Sequence, residues 1–212
     1  MRKLGIVVTA IACLMVAAVT FAADTPAAGG MTFGVDGGVA LPTGDWADLF
    51  QMGFQGGVFG EYGINEQFAI GVGADYDKVG VKDEYITDLE DEASAELGVD
   101  VTVEVTESII PITLYAKWMP PMKDSKVAPY VMVGGGYYMM TDKIEASVAG
   151  ASISVSETVN KPGFFGGAGV DFKVNPTVKV GVFAKMHDIL TEDSSTMYFN
   201  GGVSVGFGLA TK

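Results

Sequence analysis

The stretch from Met52 to Val79, MGFQGGVFGEYGINEQFAIGVGADYDKV, holds two alternating segments joined by a turn too short for anything but a hairpin. In the first segment Phe54, Gly56, Val58, Gly60, Tyr62 and Ile64 share one parity, and Gln55, Gly57, Phe59, Glu61 and Gly63 share the other. After the turn Ile64-Asn65-Glu66, the residues Phe68, Ile70, Val72, Ala74 and Tyr76 fall opposite Gly71, Gly73, Asp75 and Asp77. A period of two marks a β-strand. Each segment has about the 9–11 residues that a tilted strand needs to cross the hydrocarbon of a bilayer, roughly twice the 5–6 of a typical soluble strand. One face of the hairpin is wholly uncharged, so it reads as membrane-spanning.

Outward from this hairpin the same pattern recurs. A first strand runs from Met31 to Leu41, with Phe33, Val35, Val39 and Leu41 opposite Asp36 and small residues. A fourth places Ile110, Ile112, Leu114, Ala116 and Trp118 opposite Thr113, Tyr115 and Lys117, and a fifth spans roughly Pro129 to Thr141 with two parities competing for the outward face. The sixth, seventh and eighth set Phe164–Phe172, Val178–Met186 and Phe199–Leu209 against Asp171 and Lys173, Lys179, Lys185 and His187, and Asn200 and Ser204. The expected fold is therefore all-β, an eight-stranded antiparallel up-and-down transmembrane β-barrel. The 29 glycines, many inside the alternating runs, suit a tightly curved sheet.

Connections after strands one, three, five and seven are expected to be long and acidic, and those at Asn65, Pro120 and Asn175 short. Short periplasmic turns and longer external loops are the asymmetry of outer-membrane barrels. Asp142 to Lys161 alternates around Gly150 and suggests a hairpin standing above the bilayer, with Val99–Val105 pairing beside it. Aromatics such as Phe33, Tyr62, Phe68, Trp118, Phe172 and Phe207 at one level, and Phe54, Tyr76, Phe164 and Phe199 at the other, form two girdles.

Arg2 and Lys3 precede the apolar run GIVVTAIACLMVAAV, and Thr20-Phe21-Ala22 offers small residues before a cut. Residues 1–22 thus read as a secretory signal peptide and 23–212 as the barrel domain. Cys13, the one cysteine, sits inside the apolar run and is not followed by the polar segment expected of a lipidated residue, so the mature chain has no thiol. Setting aside Arg2 and Lys3 leaves 11 of the 13 basic residues against 26 acidic ones, a formal charge of −15. That balance excludes a nucleic-acid footprint.

The expected position of the charges follows from the cost of a lysine facing lipid at mid-depth, about 2–4 kcal/mol. Asp36, Glu61, Asp75, Asp77, Lys117, Asp171, Lys173, Lys179 and Lys185 all lie on the face opposite the apolar set; Lys78, at a strand end, is placed to snorkel. With His187 they are expected to fill the lumen as an ion-pair network, Asp75 and Asp77 near Lys185 and His187, and Glu61 near Lys117, Asp171, Lys173 and Lys179. A polar pore for small solutes is the alternative.

The whole mature chain resembles the small eight-stranded outer-membrane barrels of the OmpA and OmpX type, with motifs such as Pro42-Thr43-Gly44-Asp45 and Lys161-Pro162-Gly163-Phe164-Phe165-Gly166-Gly167-Ala168-Gly169. The resemblance implies a bacterial outer-membrane location, contact with outer-membrane lipid and lipopolysaccharide, a monomer, and a structural or surface-interaction role through the loops. Its final aromatic is Phe207, whereas such barrels commonly end in an aromatic residue. Barrels of this size that deacylate lipid A pair a histidine with a serine, but His187 has only Ser194 and Ser195 nearby, in a loop, so no enzyme is expected. No cofactor or metal site is expected either. Asp88, Glu90, Asp91 and Glu92 lack EF-hand spacing and read as an external acidic loop suited at most to weak bridging by divalent cations.

Overall fold

The computed structural model describes residues 29–209 apart from 100, 122–125, 149–150 and 192–194. The expected signal peptide, its cleavage after Ala22 and Cys13 lie outside the described residues. Eight antiparallel strands form a closed ring, each bonded to its sequence neighbours: β1 Met31–Pro42, β2 Gly53–Gly63, β3 Phe68–Gly80, β4 Val101–Trp118, β5 Val127–Val148, β6 Ala151–Lys173, β7 Val178–Leu190 and β8 Ser195–Leu209. Closure comes from β1 against β8, from Met31↔Leu209 to Pro42↔Tyr198.

Parity decides the faces. Val58, Val72, Leu114, Val133, Val182 and Val203 are exposed on the outside, Leu114 at 63%. Glu61, Asp75, Asp77, Lys117, Asp171, Lys179 and Lys185 are buried inside. Strand five, whose two parities sequence leaves open, turns Val131, Val133 and Tyr137 outward and buries Tyr130 and Tyr138. Gly71 and Gly169 face inward where a Cβ would collide with the rings of Tyr115 and Tyr130. Small residues on one strand thus make room for large ones on the next.

At one end the turns at Asn65 and Asn175 are tight, whereas the connection expected to be short at Pro120 spans residues 119–126. The Asn65 carboxamide oxygen accepts hydrogen bonds from the backbone N–H of Gln67 (2.8 Å) and Phe68 (2.9 Å). Asn175 repeats this with Thr177 and Val178, both at 2.8 Å. Side chains of this kind reproduce a backbone turn.

The other end departs from expectation in three places. The stretch expected as an acidic loop is helix α2, Asp83–Leu97, while a single helical turn, α1, covers Trp46–Leu49. Charge density suggested a solvated run, yet Glu, Ala and Leu are strong helix formers. Asp83 and Glu84 occupy the first turn, where the macrodipole favours them, and Gly98 ends the helix at φ 67°. The connection expected to be long after β7 spans only residues 191–194. β4, β5 and β6 continue beyond the other strands in unbroken register, Val101↔Val148 and Val148↔Ala151 closing the projection.

Candidate functional site

Three layers fill the lumen. Nearest the short turns, β2, β4, β6 and β7 bring together Glu61, Lys117, Asp171 and Lys179. Lys117 lies 3.1 Å from Glu61 and 3.0 Å from Asp171, and Lys179 lies 2.8 Å and 3.1 Å from the same two carboxylates. Two cations shared between two anions leave this layer neutral. Tyr115 donates its hydroxyl to Glu61 at 3.2 Å, and the Lys117 ammonium sits 3.8 Å from the centre of the Tyr130 ring.

In the middle layer, Lys185 reaches Asp75 at 3.3 Å and Asp36 at 3.7 Å. The Gln55 amide donates to both carboxylates. Between these layers is a cavity of about 30 Å³, lined among others by Asp36, Glu61, Lys117 and Lys185. That is room for about two waters and far too little for a solute.

Above them the lumen becomes aromatic. Tyr198 (2.9 Å) and Asn200 (3.0 Å) donate to the Asp77 carboxylate. His187 is 0% exposed, its Nδ1 lies 3.0 Å from the Tyr138 hydroxyl, and its ring is stacked between Phe165 and Tyr198 at 5.2 and 4.7 Å. Ile109, Tyr138, Ile189 and Tyr198 then form an apolar plug, against which Trp46 and Met140 pack.

The plug is fastened from above. Trp46 of α1 lies edge-on to Tyr198 at 5.8 Å and donates its indole N–H to Glu107 at 3.1 Å. Glu107 stands beyond the apolar band, beside Asp142, which itself pairs with Glu157. Burial, reinforced by the neighbouring Asp142 charge, lifts the Glu107 carboxyl to about 7. Burial and Glu157 raise Asp142 as well.

Of the residues expected in the lumen, Asp36, Glu61, Asp75, Asp77, Lys117, Asp171, Lys179, Lys185 and His187 are brought together. Lys173 is not. It has the inward parity, but it is the last residue of β6 and is exposed below the ring of side chains. Asp88, Glu90, Asp91 and Glu92 lie on α2, and the Glu90 carboxylate accepts the Val103 N–H at 2.7 Å. Among the described residues no group of three or more His, Cys, Asp and Glu side chains is arranged to hold a metal ion. Ser194 lies outside the described residues.

Sequence reasoning placed Gln55, Tyr115 and Asn200 on the inner parity of their strands without naming their partners, and missed Tyr138 and Tyr198. Parity marks Tyr198; on β5, whose two parities sequence leaves open, nothing marks Tyr138. Sequence reasoning also missed Trp46, whose place in a loop carried no such signal.

Comparison with known proteins agrees with this architecture. The model of the family described as outer membrane protein beta-barrel domain matches residues 9–209. No curated protein matches the chain in sequence. Neisserial surface protein A (NspA) is similar in structure, with a TM-score of 0.52 at 14% identity, over 84% of this chain and 96% of that one. Ail, the attachment invasion locus protein of Yersinia pestis, gives 0.51 at 12% identity, over 85% of this chain and 99% of its own. Its complex with the heparin analogue sucrose octasulfate gives 0.54 at 13% identity, with the same coverage.

Proposed function

The chain belongs to the outer membrane protein beta-barrel domain family, and from that premise we propose that it is a closed, non-catalytic barrel of the bacterial outer membrane that works through the structure projecting beyond its long-loop end. Membership of the family places it in the outer membrane; delivery there by a cleaved signal peptide is part of the same proposal. The observation that carries it is the contrast between a lumen blocked in three successive layers and a large ordered sheet raised beyond the barrel.

Eight strands enclose an interior that side chains can fill, and here ion pairs, Asp77 with its donors, and the plug under Trp46 occupy it. A layer with both charges paired is costly to open, since parting a buried pair strands a charge away from water. Ail is named for attachment and invasion and NspA as a surface protein; an interaction role at the cell surface is carried over from those likenesses as part of this proposal. Lipid and lipopolysaccharide surround the barrel, and the exposed carboxylates of α2 would bridge weakly to them through divalent cations.

Planar-bilayer recording of the purified protein tests the closed lumen. The expected trace is silent. Discrete openings of constant conductance, abolished when Trp46 is cross-linked to the plug, would establish a narrow channel instead.

A further inference from the structure

β4, β5 and β6 leave the barrel with their pleat unbroken, so rows of side chains can be followed across the projecting sheet. On the face continuous with the lumen wall, Val105, Ile144 and Val155 make one row, Val103, Ala146 and Ile153 the next, and Val101, Val148 and Ala151 the last. All nine are apolar. The opposite face carries Thr106, Lys143 and Ser156, then Glu104, Glu145 and Ser154, then Thr102, Ser147 and Ser152. All nine of these are polar. A sheet sorted in this way has one face for water and one for a covering layer.

Among the described residues that cover falls on β4. The Ser94 hydroxyl and the Glu90 carboxylate of α2 accept the N–H groups of Val101 (3.0 Å) and Val103 (2.7 Å). Val101 is buried, and Val103 and Val105 are half-buried. Past them the face is bare: Ile144 is 49% exposed, Val155 64% and Ile153 71%. The polar outer face marks this level as aqueous, so these side chains do not serve acyl chains. Four residues of strand at about 3.3 Å each make the floor about 13 Å long, enough for two to three turns of helix.

The walls of this floor are acidic. Glu107, Asp142 and Glu157 form the next row toward the barrel on the same face. α2 holds seven carboxylates between Asp83 and Leu97 and no basic residue. We propose that the bare face over β5 and β6 docks an amphipathic helix of another protein, lying beside α2. Its apolar stripe would rest on Ile144, Ile153 and Val155, and its flanking lysines or arginines would face α2 and the Glu107, Asp142 and Glu157 row. Helices bind apolar floors through such stripes, and the charges beside them select the partner. A second copy of this chain, formally −13 overall, would be repelled. Two copies side by side in one membrane would also meet through their outer faces. The proposal deepens the surface-interaction reading and rests on it.

The test uses the full-length protein in zwitterionic nanodiscs and a blocked, stapled helix of about 11 residues, with leucines on one face and lysines on the other. Fluorescence anisotropy should show saturable binding to the native protein beyond that to empty discs, and none by the same helix with glutamate in place of lysine. Ile153→Ser with Val155→Ser should weaken binding about tenfold or more. Both side chains already face solvent, so circular dichroism should be unchanged. Glu157→Lys, which leaves the apolar floor whole, should weaken the lysine helix and favour the glutamate one. Failure of the native protein to bind would overturn the docking face while leaving a silent bilayer trace, and so the closed barrel, intact. Equal binding by the serine variant or by the glutamate helix, or indifference to Glu157→Lys, would also overturn it. A concentration-dependent dimer abolished by the two serines would give the face to a second copy and refute the basic helix.

Discussion

Three strands, β4, β5 and β6, run through two environments, and their polarity inverts between them. In the barrel, Ile112, Leu114, Val131, Val133, Phe164 and Ala168 point outward, while Thr113, Lys117, Tyr138 and Asp171 point inward. In the projection the pleat is continuous, yet Val103, Val105, Ile144, Ala146, Ile153 and Val155 take the inner face. Thr102, Glu104, Lys143, Glu145, Ser154 and Ser156 take the outer one. No bulge or slip intervenes. The change lies in the solvent: lipid outside the barrel selects apolar residues there, and water outside the projection selects polar ones. The level of the membrane is thus written in the sequence as the position where the pattern reverses, near Ser108, Thr141 and Lys161.

The largest effect is expected inside the lumen. Lys117→Met leaves Glu61 and Asp171 with Lys179 alone, and should lower stability by about 3–5 kcal/mol, read by urea unfolding of the barrel in lipid vesicles. A smaller loss would mean that water already reaches this layer. Pairing it with Glu61→Gln should recover part of the loss, because the surviving charges then balance.

A lysine scan along β4 sharpens the boundary. Leu114→Lys, at mid-depth on the outer face, should cost about 2–4 kcal/mol in the same assay. Thr102→Lys, on the same face of the same strand beyond the reversal, should stay within about 0.5 kcal/mol. Equal costs at the two positions would remove the membrane from the lower half.

The smallest effect is expected at the rim. Because the folded protein holds the Glu107 proton up to about 7, against an ordinary 4.5, it binds more protons than the unfolded chain between those values. Stability from this group is therefore greatest in acid and declines as pH rises from about 5 to 7. In a Trp118→Phe background, acrylamide should quench Trp46 more strongly at pH 8 than at pH 5. Glu107→Gln should flatten that dependence; an unchanged profile would detach the cap from Glu107.

Much of this molecule is local in origin. Alternation along each strand, the charges on the face opposite the apolar one and the asparagines at tight turns determine the strands, seven of the eight outward faces and the inward set from Asp36 to His187. These features need only a residue and its neighbours two places away. The helix Asp83–Leu97 was also legible in principle, through its acidic first turn and Gly98, but its charge obscured it. Tertiary structure alone decided the rest: that Lys117 and Lys179 share Glu61 with Asp171 while Lys185 goes to Asp75, that strand five buries Tyr130 and Tyr138, that Lys173 stays outside, that Trp46 closes the plug, and that α2 caps the β4 edge of the projection. Each depends on how far each strand slides past the next before the ring closes, and that stagger brings together residues more than a hundred positions apart, such as Asp77 and Tyr198, through contacts no local pattern encodes.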